Sequence, residues 1–215
     1  MRPFHDSLDL ETPIISYNGA KVVYNESEIY ETALPTAVVQ SLVSISREQH
    51  VHLNLYSDEV WYTERPESDE SRDYAEKAHL EPVGKDLSLI ASDQCTKALF
   101  IAPPDRLASL SPLLSERLGA EVELTSSMSH FLEVLTYGVN KGAAIKSVCQ
   151  RLNIPLSETI AFGDGLNDLE MIKLVEHGVA MENGHPTLKA QADAIAPHHD
   201  KGGVATYLTR YLNLV

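Results

Sequence analysis

The sequence predicts an α/β protein built in two parts, and three observations carry that expectation. From Lys141 onward, apolar runs of strand length alternate with helix-spaced apolar positions. The order is helix, strand, helix, strand, helix, strand, helix, the rhythm of a parallel α/β unit. Before Lys141 the pattern differs, with strand pairs and long helices making a mixed, antiparallel-looking set. Within the C-terminal part, the stretch Gly163-Asp164-Gly165-Leu166-Asn167-Asp168-Leu169-Glu170-Met171 falls where a strand gives way to a helix. That is the crevice in which open α/β sheets bind ligands.

Taken in order, residues 1–12 are polar and show little pattern. Ile14 to Tyr17 reads as a strand, Asn18-Gly19 as a turn and Lys21 to Tyr24 as its hairpin partner, a ribbon that Ser27 to Thr32 extends. Pro35 starts a helix carried by Val38, Val39, Leu42, Val43 and Ile45. Val51 to Leu55 and Val60 to Thr63 are strands flanking Ser57-Asp58, and Asp69 to Ala78 is a charged helix. A turn-rich passage around Pro82, Val83 and Gly84 leads to a strand at Lys97 to Ile101. Pro104 opens a helix that runs to Leu118 and stops at Gly119. Val122 to Thr125 and Phe131 to Leu135 complete the antiparallel set. Beyond it, Ala144, Ile145, Val148 and Leu152 mark one helix face, Thr159-Ile160-Ala161-Phe162 a strand, and Leu166, Leu169, Ile172 and Val175 a second helix. The stripe Tyr207, Leu208, Tyr211 and Leu212 is expected to be core.

Composition excludes several function classes. The 215 residues carry 17 basic and 31 acidic side chains, a net charge of −14, which opposes nonspecific binding to nucleic acid or anionic membranes. A phosphorylated small molecule stays compatible, because a metal ion would dominate the local field. No apolar run reaches membrane-spanning length, and the first residues lack the apolar core of a signal peptide. Cys95 and Cys149 form neither a C-x-x-C pair nor a disulfide framework, which fits a reducing cytoplasm. A cytoplasmic location is therefore expected.

The chemistry concentrates in two segments. Asp164 and Asp168 offer hard oxygen ligands of the kind Mg²⁺ prefers, and Asn167 adds an amide donor. Gly163 and Gly165 let the backbone turn sharply and approach a ligand. The same acids also suit a helix cap and a solvated first turn. Upstream, Asn140-Lys141-Gly142 opens a helix. A lysine there opposes the macrodipole and calls for a nearby anion, although an exposed lysine is the commoner case. His198-His199 has metal-binding chemistry but sits in a polar loop, where paired histidines are more often solvated.

The lysine–helix–strand–GDGxND arrangement resembles the haloacid dehalogenase superfamily, in particular the Cof-type sugar-phosphate phosphatases. Thr12-Pro13-Ile14-Ile15-Ser16-Tyr17-Asn18-Gly19-Ala20 is similar to the family's TPxIxxNGA segment. Val179-Ala180-Met181-Glu182-Asn183-Gly184 is similar to VAMGNA, with Glu182 in place of glycine. Asp200-Lys201-Gly202-Gly203-Val204-Ala205 is similar to DGVA with an insertion. The resemblance implies a Rossmann-like core, residues 1–33 and 135–215, into which a mixed α/β cap, residues 34–134, is inserted. Tyr56, Asp58, Trp61 and Tyr62 would then lie on the cap, where substrate choice is made, although sheet packing also explains these aromatics. It further implies a Mg²⁺-dependent phosphatase of small phosphorylated metabolites. Lys141, Asp164 and Asp168 would be its catalytic residues, Lys141 and Asn167 its phosphate ligands, and Asp164, backed by Asp168, its metal site.

One part of the family pattern is missing. The superfamily's nucleophile lies in a DxDGT segment at the end of a first strand, and no such segment occurs in these residues. Asp6 and Asp9 are the only early aspartates, and no apolar strand precedes them. Two readings follow. In one, the phosphatase is impaired in this chain, its first part lost by truncation or a misplaced start. In the other, a truncated, non-catalytic relative acts as a binding or interaction module. In either, Mg²⁺ binding should be weak, and loss of the first strands should leave strand edges that either pair directly across the gap or are covered by a homodimer.

Overall fold

The computed structural model describes residues 2–90 and 95–214. They divide into two compact units, Met1–Val139 and Asn140–Val215. The first begins with a short helix α1 (Arg2–Ser7), followed by the antiparallel ribbon β1 (Ile14–Ser16), β2 (Lys21–Tyr24) and β3 (Ser27–Glu31). A helix of six residues is too short to show an apolar period, which is why residues 1–12 read as patternless. Ile14 pairs with Val23 and Ser16 with Lys21. The connecting turn holds Tyr17, Asn18 and Gly19 all at positive φ. Asn18 and Gly19 adopt that region readily, whereas Tyr17 is strained there and is tied down by its hydroxyl, which donates to Glu59 Oε2 at 3.1 Å.

The remainder of this unit is a six-stranded sheet covered by helices. Its strands are β4 (His52–Ser57), β5 (Val60–Thr63), β6 (Val83–Gly84), β7 (Cys95–Ile101), β8 (Val122–Thr125) and β9 (Phe131–Thr136), in the order β6-β5-β4-β7-β9-β8. The helices are α2 (Thr36–Gln49), α3 (Asp69–Ala78) and α4 (Pro104–Leu118). Ser68 caps α3 by accepting from the Ser71 amide, and α4 stops at Gly119, which takes φ +56°. The turn-rich passage at Val83–Gly84 is in fact β6, paired in parallel with β5; two residues carry no alternation by which to recognise a strand.

Strand alternation sorts the sheet into two unlike faces. Leu53, Leu55, Ala98, Phe100, Leu132 and Val134 pack with Val39 and Leu42 of α2 and Leu110 and Leu114 of α4 to form the main core. The opposite face carries Tyr56, Trp61, Leu99, Ile101 and Phe131, against which Tyr17 and Tyr74 pack. Buried polar residues share this second face: Asn54 lies opposite Leu99 in the ladder, and so does Glu133.

The second unit has the helix–strand rhythm expected from its sequence: α5 (Lys141–Leu152), β10 (Ile160–Gly163), α6 (Leu169–Leu174), β11 (His177–Met181), α7 (Pro186–Lys189), β12 (Ala194–Ala196) and α8 (Gly203–Tyr211). The strands are parallel in the order β10-β11-β12, with Ile160 beside His177 and Val179 beside Ala194. Ala161, Ile172, Ala180 and Leu188 fill one side of this sheet. Val179, Met181 and Ala196 fill the other, with Phe162 and Tyr207 against them. The C-terminal stripe is core only in part. Tyr207 packs edge-on to Phe162, but Tyr211 is 50% and Leu212 54% exposed, because α8 ends at Tyr211 and Leu212 follows its last turn. Among the described residues no helix is long and apolar enough to cross a membrane.

Candidate active site

Lys141 is the first residue of α5. Asn140 caps this helix: its Oδ1 accepts from the Ala143 amide at 2.8 Å. Gly142 lets the start of α5 approach α6, since a Cβ at this position would stand 2.7 Å from the Glu170 carbonyl oxygen. The approach brings Lys141 Nζ to within 2.5 Å of Asp168 Oδ1. The anion that a lysine at this helix start requires is thus a protein carboxylate.

Asp168 also shapes the loop. Its Oδ2 accepts from the Asp164 amide at 2.8 Å and the Gly165 amide at 2.9 Å. The two glycines serve close approach and not an unusual φ, as neither is among the positive-φ residues. A Cβ on Gly163 would lie 2.5 Å from Asp168 Cβ, and one on Gly165 would lie 2.5 Å from Asn167 Oδ1. Asp168 is therefore the buried anchor, holding the lysine with one oxygen and the loop with the other.

Asp164 is placed differently. It is exposed at the end of β10, and its Oδ2 accepts from Asn183 Nδ2 at 3.2 Å. Its carbonyl accepts from the His185 amide at 2.8 Å, and a Cβ on Gly184 would stand 3.3 Å from Asp164 Cα. Asn167 is half-buried in the same loop. Lys141, Asp164, Asn167 and Asp168 are thus gathered by one loop and one helix start, a cation and an open carboxylate on either side of a buried one.

Asn183 and Gly142 also belong to this arrangement, though neither was singled out by residue type or spacing. The signal for Asn183 was its place in the Val179–Gly184 segment, but its contact with Asp164 crosses between two strand ends. Asn183 Oδ1 also accepts from the His199 amide at 3.2 Å, and Glu182 Oε2 accepts from the His198 amide at 3.0 Å. Those two histidines stack on each other, and each has Nδ1 within 3.5 Å of an Asp200 carboxylate oxygen. Their turn supports the Glu182–Asn183 loop from outside.

The donor set fits a hard divalent cation in one respect. Asp164 presents an exposed carboxylate, whereas both Asp168 oxygens are committed to protein donors. Asp164 thus suits direct ligation and Asp168 suits holding the surroundings.

Known proteins resemble this chain over nearly its whole length. The sequence pattern of the haloacid dehalogenase-like hydrolase family matches residues 1–208. An HMP-PP phosphatase from Cronobacter sakazakii is 30% identical over 216 residues, spanning 99% of this chain and 79% of the relative. A 5-amino-6-(5-phospho-D-ribitylamino)uracil phosphatase from Bacillus subtilis is 30% identical over 219 residues, spanning 98% and 80%. The crystal structure of a haloacid dehalogenase-like hydrolase from Bacteroides thetaiotaomicron superposes with a TM-score of 0.87 at 27% identity, over 98% of this chain and 81% of that one.

Proposed function

This chain belongs to the haloacid dehalogenase-like hydrolases, with the Cof-type α/β fold, and from that premise we propose that it is the charge-stabilising part of a Mg²⁺-dependent phosphatase acting on small phosphorylated metabolites. The observation that carries the reading is the Lys141–Asp168 pair, whose carboxylate also organises the loop presenting Asp164. The names of the HMP-PP and ribitylaminouracil phosphatases support the substrate class, and sugar phosphates fall within it.

In this reading Lys141 neutralises phosphoryl oxygens, Asn167 donates to one of them, and Asp164 ligates the metal. Asp168 acts through Lys141 by fixing its position. Mg²⁺, when bound, adds charge neutralisation at the phosphoryl group. Residues 1–33 and 135–215 constitute the core in this proposal and residues 34–134 the cap, with a homodimer forming through a sheet edge.

The family's attacking carboxylate is not among the 215 residues: Asp6 lies within α1, and Asp9 follows it at positive φ, so neither stands at a strand end. The alternative is a non-catalytic relative acting as a binding or interaction module.

The test is a version of the chain extended at its N-terminus by a strand carrying DxDGT. It is assayed with Mg²⁺ on p-nitrophenyl phosphate, sugar phosphates and 5-amino-6-(5-phospho-D-ribitylamino)uracil. Phosphate release that disappears in Asp164→Ala is the expected outcome. An extended chain that is folded yet hydrolyses none of the panel would favour the binding module.

A further inference from the structure

Among the described residues, one group of three histidine, cysteine or acidic side chains brings its ligand atoms within 4.8 Å of one another: His198, His199 and Asp200. Local geometry gathers them. His198 opens the short turn His199–Lys201, and its Nδ1 accepts from the Asp200 amide at 3.2 Å, which aims that lone pair at Asp200. The turn is also held from the neighbouring loop. Glu182 Oε2 accepts from the His198 amide at 3.0 Å, and Asn183 Oδ1 from the His199 amide at 3.2 Å. The Glu182 carbonyl in turn accepts from Lys189 Nζ at 3.1 Å. Both histidines therefore project from fixed backbone, which lowers the ordering cost of binding a ligand between them.

The spacing suits a metal ion. His198 Nδ1 lies 3.5 Å from Asp200 Oδ2, and His199 Nδ1 lies 3.0 Å from Asp200 Oδ1. Two ligands of a tetrahedral ion with bonds of about 2.1 Å stand about 3.4 Å apart, so these separations are close to those of a filled site. The two rings stack with centroids 4.6 Å apart and planes 28° apart. The His199 side chain is 58% exposed, so it can turn about its own bonds to share an ion that replaces the Asp200 amide on His198 Nδ1. Lys201 directs its ammonium to Glu182 Oε2 at 3.7 Å and leaves the Asp200 carboxylate to a cation. Donor chemistry selects the class of ion. Two imidazoles and one carboxylate suit zinc and its transition-metal neighbours, whereas Mg²⁺ takes oxygen ligands. Zinc also accepts three protein ligands with the remaining position open to water.

We propose that His198, His199 and Asp200 bind a zinc-class divalent cation, and that the bound ion steadies Asn183 and through it Asp164. The path is one side chain long. Asn183 accepts from the His199 amide through Oδ1, and its Nδ2 donates to Asp164 Oδ2 at 3.2 Å. An ion that fixes His199 thus restrains the group that orients the exposed carboxylate. The whole path lies within the second unit and holds whether or not the chain hydrolyses phosphate esters.

The experiment titrates the 215-residue chain with zinc chloride in excess Mg²⁺, followed by calorimetry and by amide-resolved NMR. Zinc should saturate a single site that Mg²⁺ does not compete for, with shifts at residues 198 to 200 and at the Asn183 side-chain amide. His199→Ala and Asp200→Ala, both at exposed positions, should each weaken zinc about tenfold or more and remove the Asn183 shift. Asp164→Ala should weaken it far less. Absence of saturable zinc binding, competition by Mg²⁺, or unaltered affinity in the His199 and Asp200 variants would each overturn the proposal. So would an Asn183 amide that zinc leaves unmoved, or an equal loss in Asp164→Ala, which would place the ion at that carboxylate instead.

Discussion

The 215-residue chain should release phosphate on the order of 10⁴ to 10⁶ times more slowly than the version extended by a DxDGT strand, assayed on the same substrate with Mg²⁺. The magnitude is that of deleting a nucleophile while leaving binding and electrostatic stabilisation in place. In the proposed function Lys141, Asn167 and Asp164 would still lower the cost of charge on the phosphoryl group, but covalent catalysis needs an attacking carboxylate. Asp164 is the obvious substitute. It is open to solvent, but using it for attack would remove the carboxylate best placed to ligate the metal. Asp168 is no alternative, because both its oxygens are occupied and it is 4% exposed. Comparable rates for the two versions would show that a carboxylate within these residues attacks.

The second large effect is on stability, and it separates the two aspartates. Asp168→Ala should destabilise the second unit by about 3 kcal/mol, whereas Asp164→Ala should cost less than about 1 kcal/mol. Removing Asp168 strips Lys141 of its partner and two loop amides of their acceptor. Lys141 is 31% exposed and can regain some hydration, so the cost falls at the low end of the range for breaking a buried pair. Asp164 already faces water and loses only its link to Asn183. Amide exchange in β10 and β11 is the suitable readout, because the only tryptophan, Trp61, lies in the other unit and would not report this change. Equal costs for the two substitutions would mean that Asp168 does not anchor the loop.

What the sequence made legible follows from how local each signal is. Helix α4 announces itself with Pro104 at its start and Gly119 at its end, and the residues between keep one apolar stripe. The α/β rhythm after Lys141 was equally plain, because each strand and each helix carries its own period within a few residues. Lys141, Asp164 and Asp168 stood out because their residue types conflict with, or exceed, what a helix start needs. The aromatic and polar face of the large sheet was not legible. Tyr56, Lys97 and Glu133 come together only through the β4–β7–β9 pairing, and Asn18 reaches Glu133 across 115 residues of sequence. Strand pairing of that range leaves no mark in any single window. Asn183 was hidden for the same reason: its neighbour Asp164 is set by the parallel register of β10 and β11, not by sequence distance.

If the proposed function holds, Lys141 and the Gly163–Asp168 loop form one phosphate site. The most direct measurement is an amide-resolved NMR titration of the 215-residue chain with orthophosphate in the presence of Mg²⁺, repeated on Lys141→Ala. Shifts should concentrate at Lys141 and at residues 163 to 168, with affinity reduced about tenfold or more in the variant. Shifts that fall elsewhere, or that persist unchanged in Lys141→Ala, would contradict it.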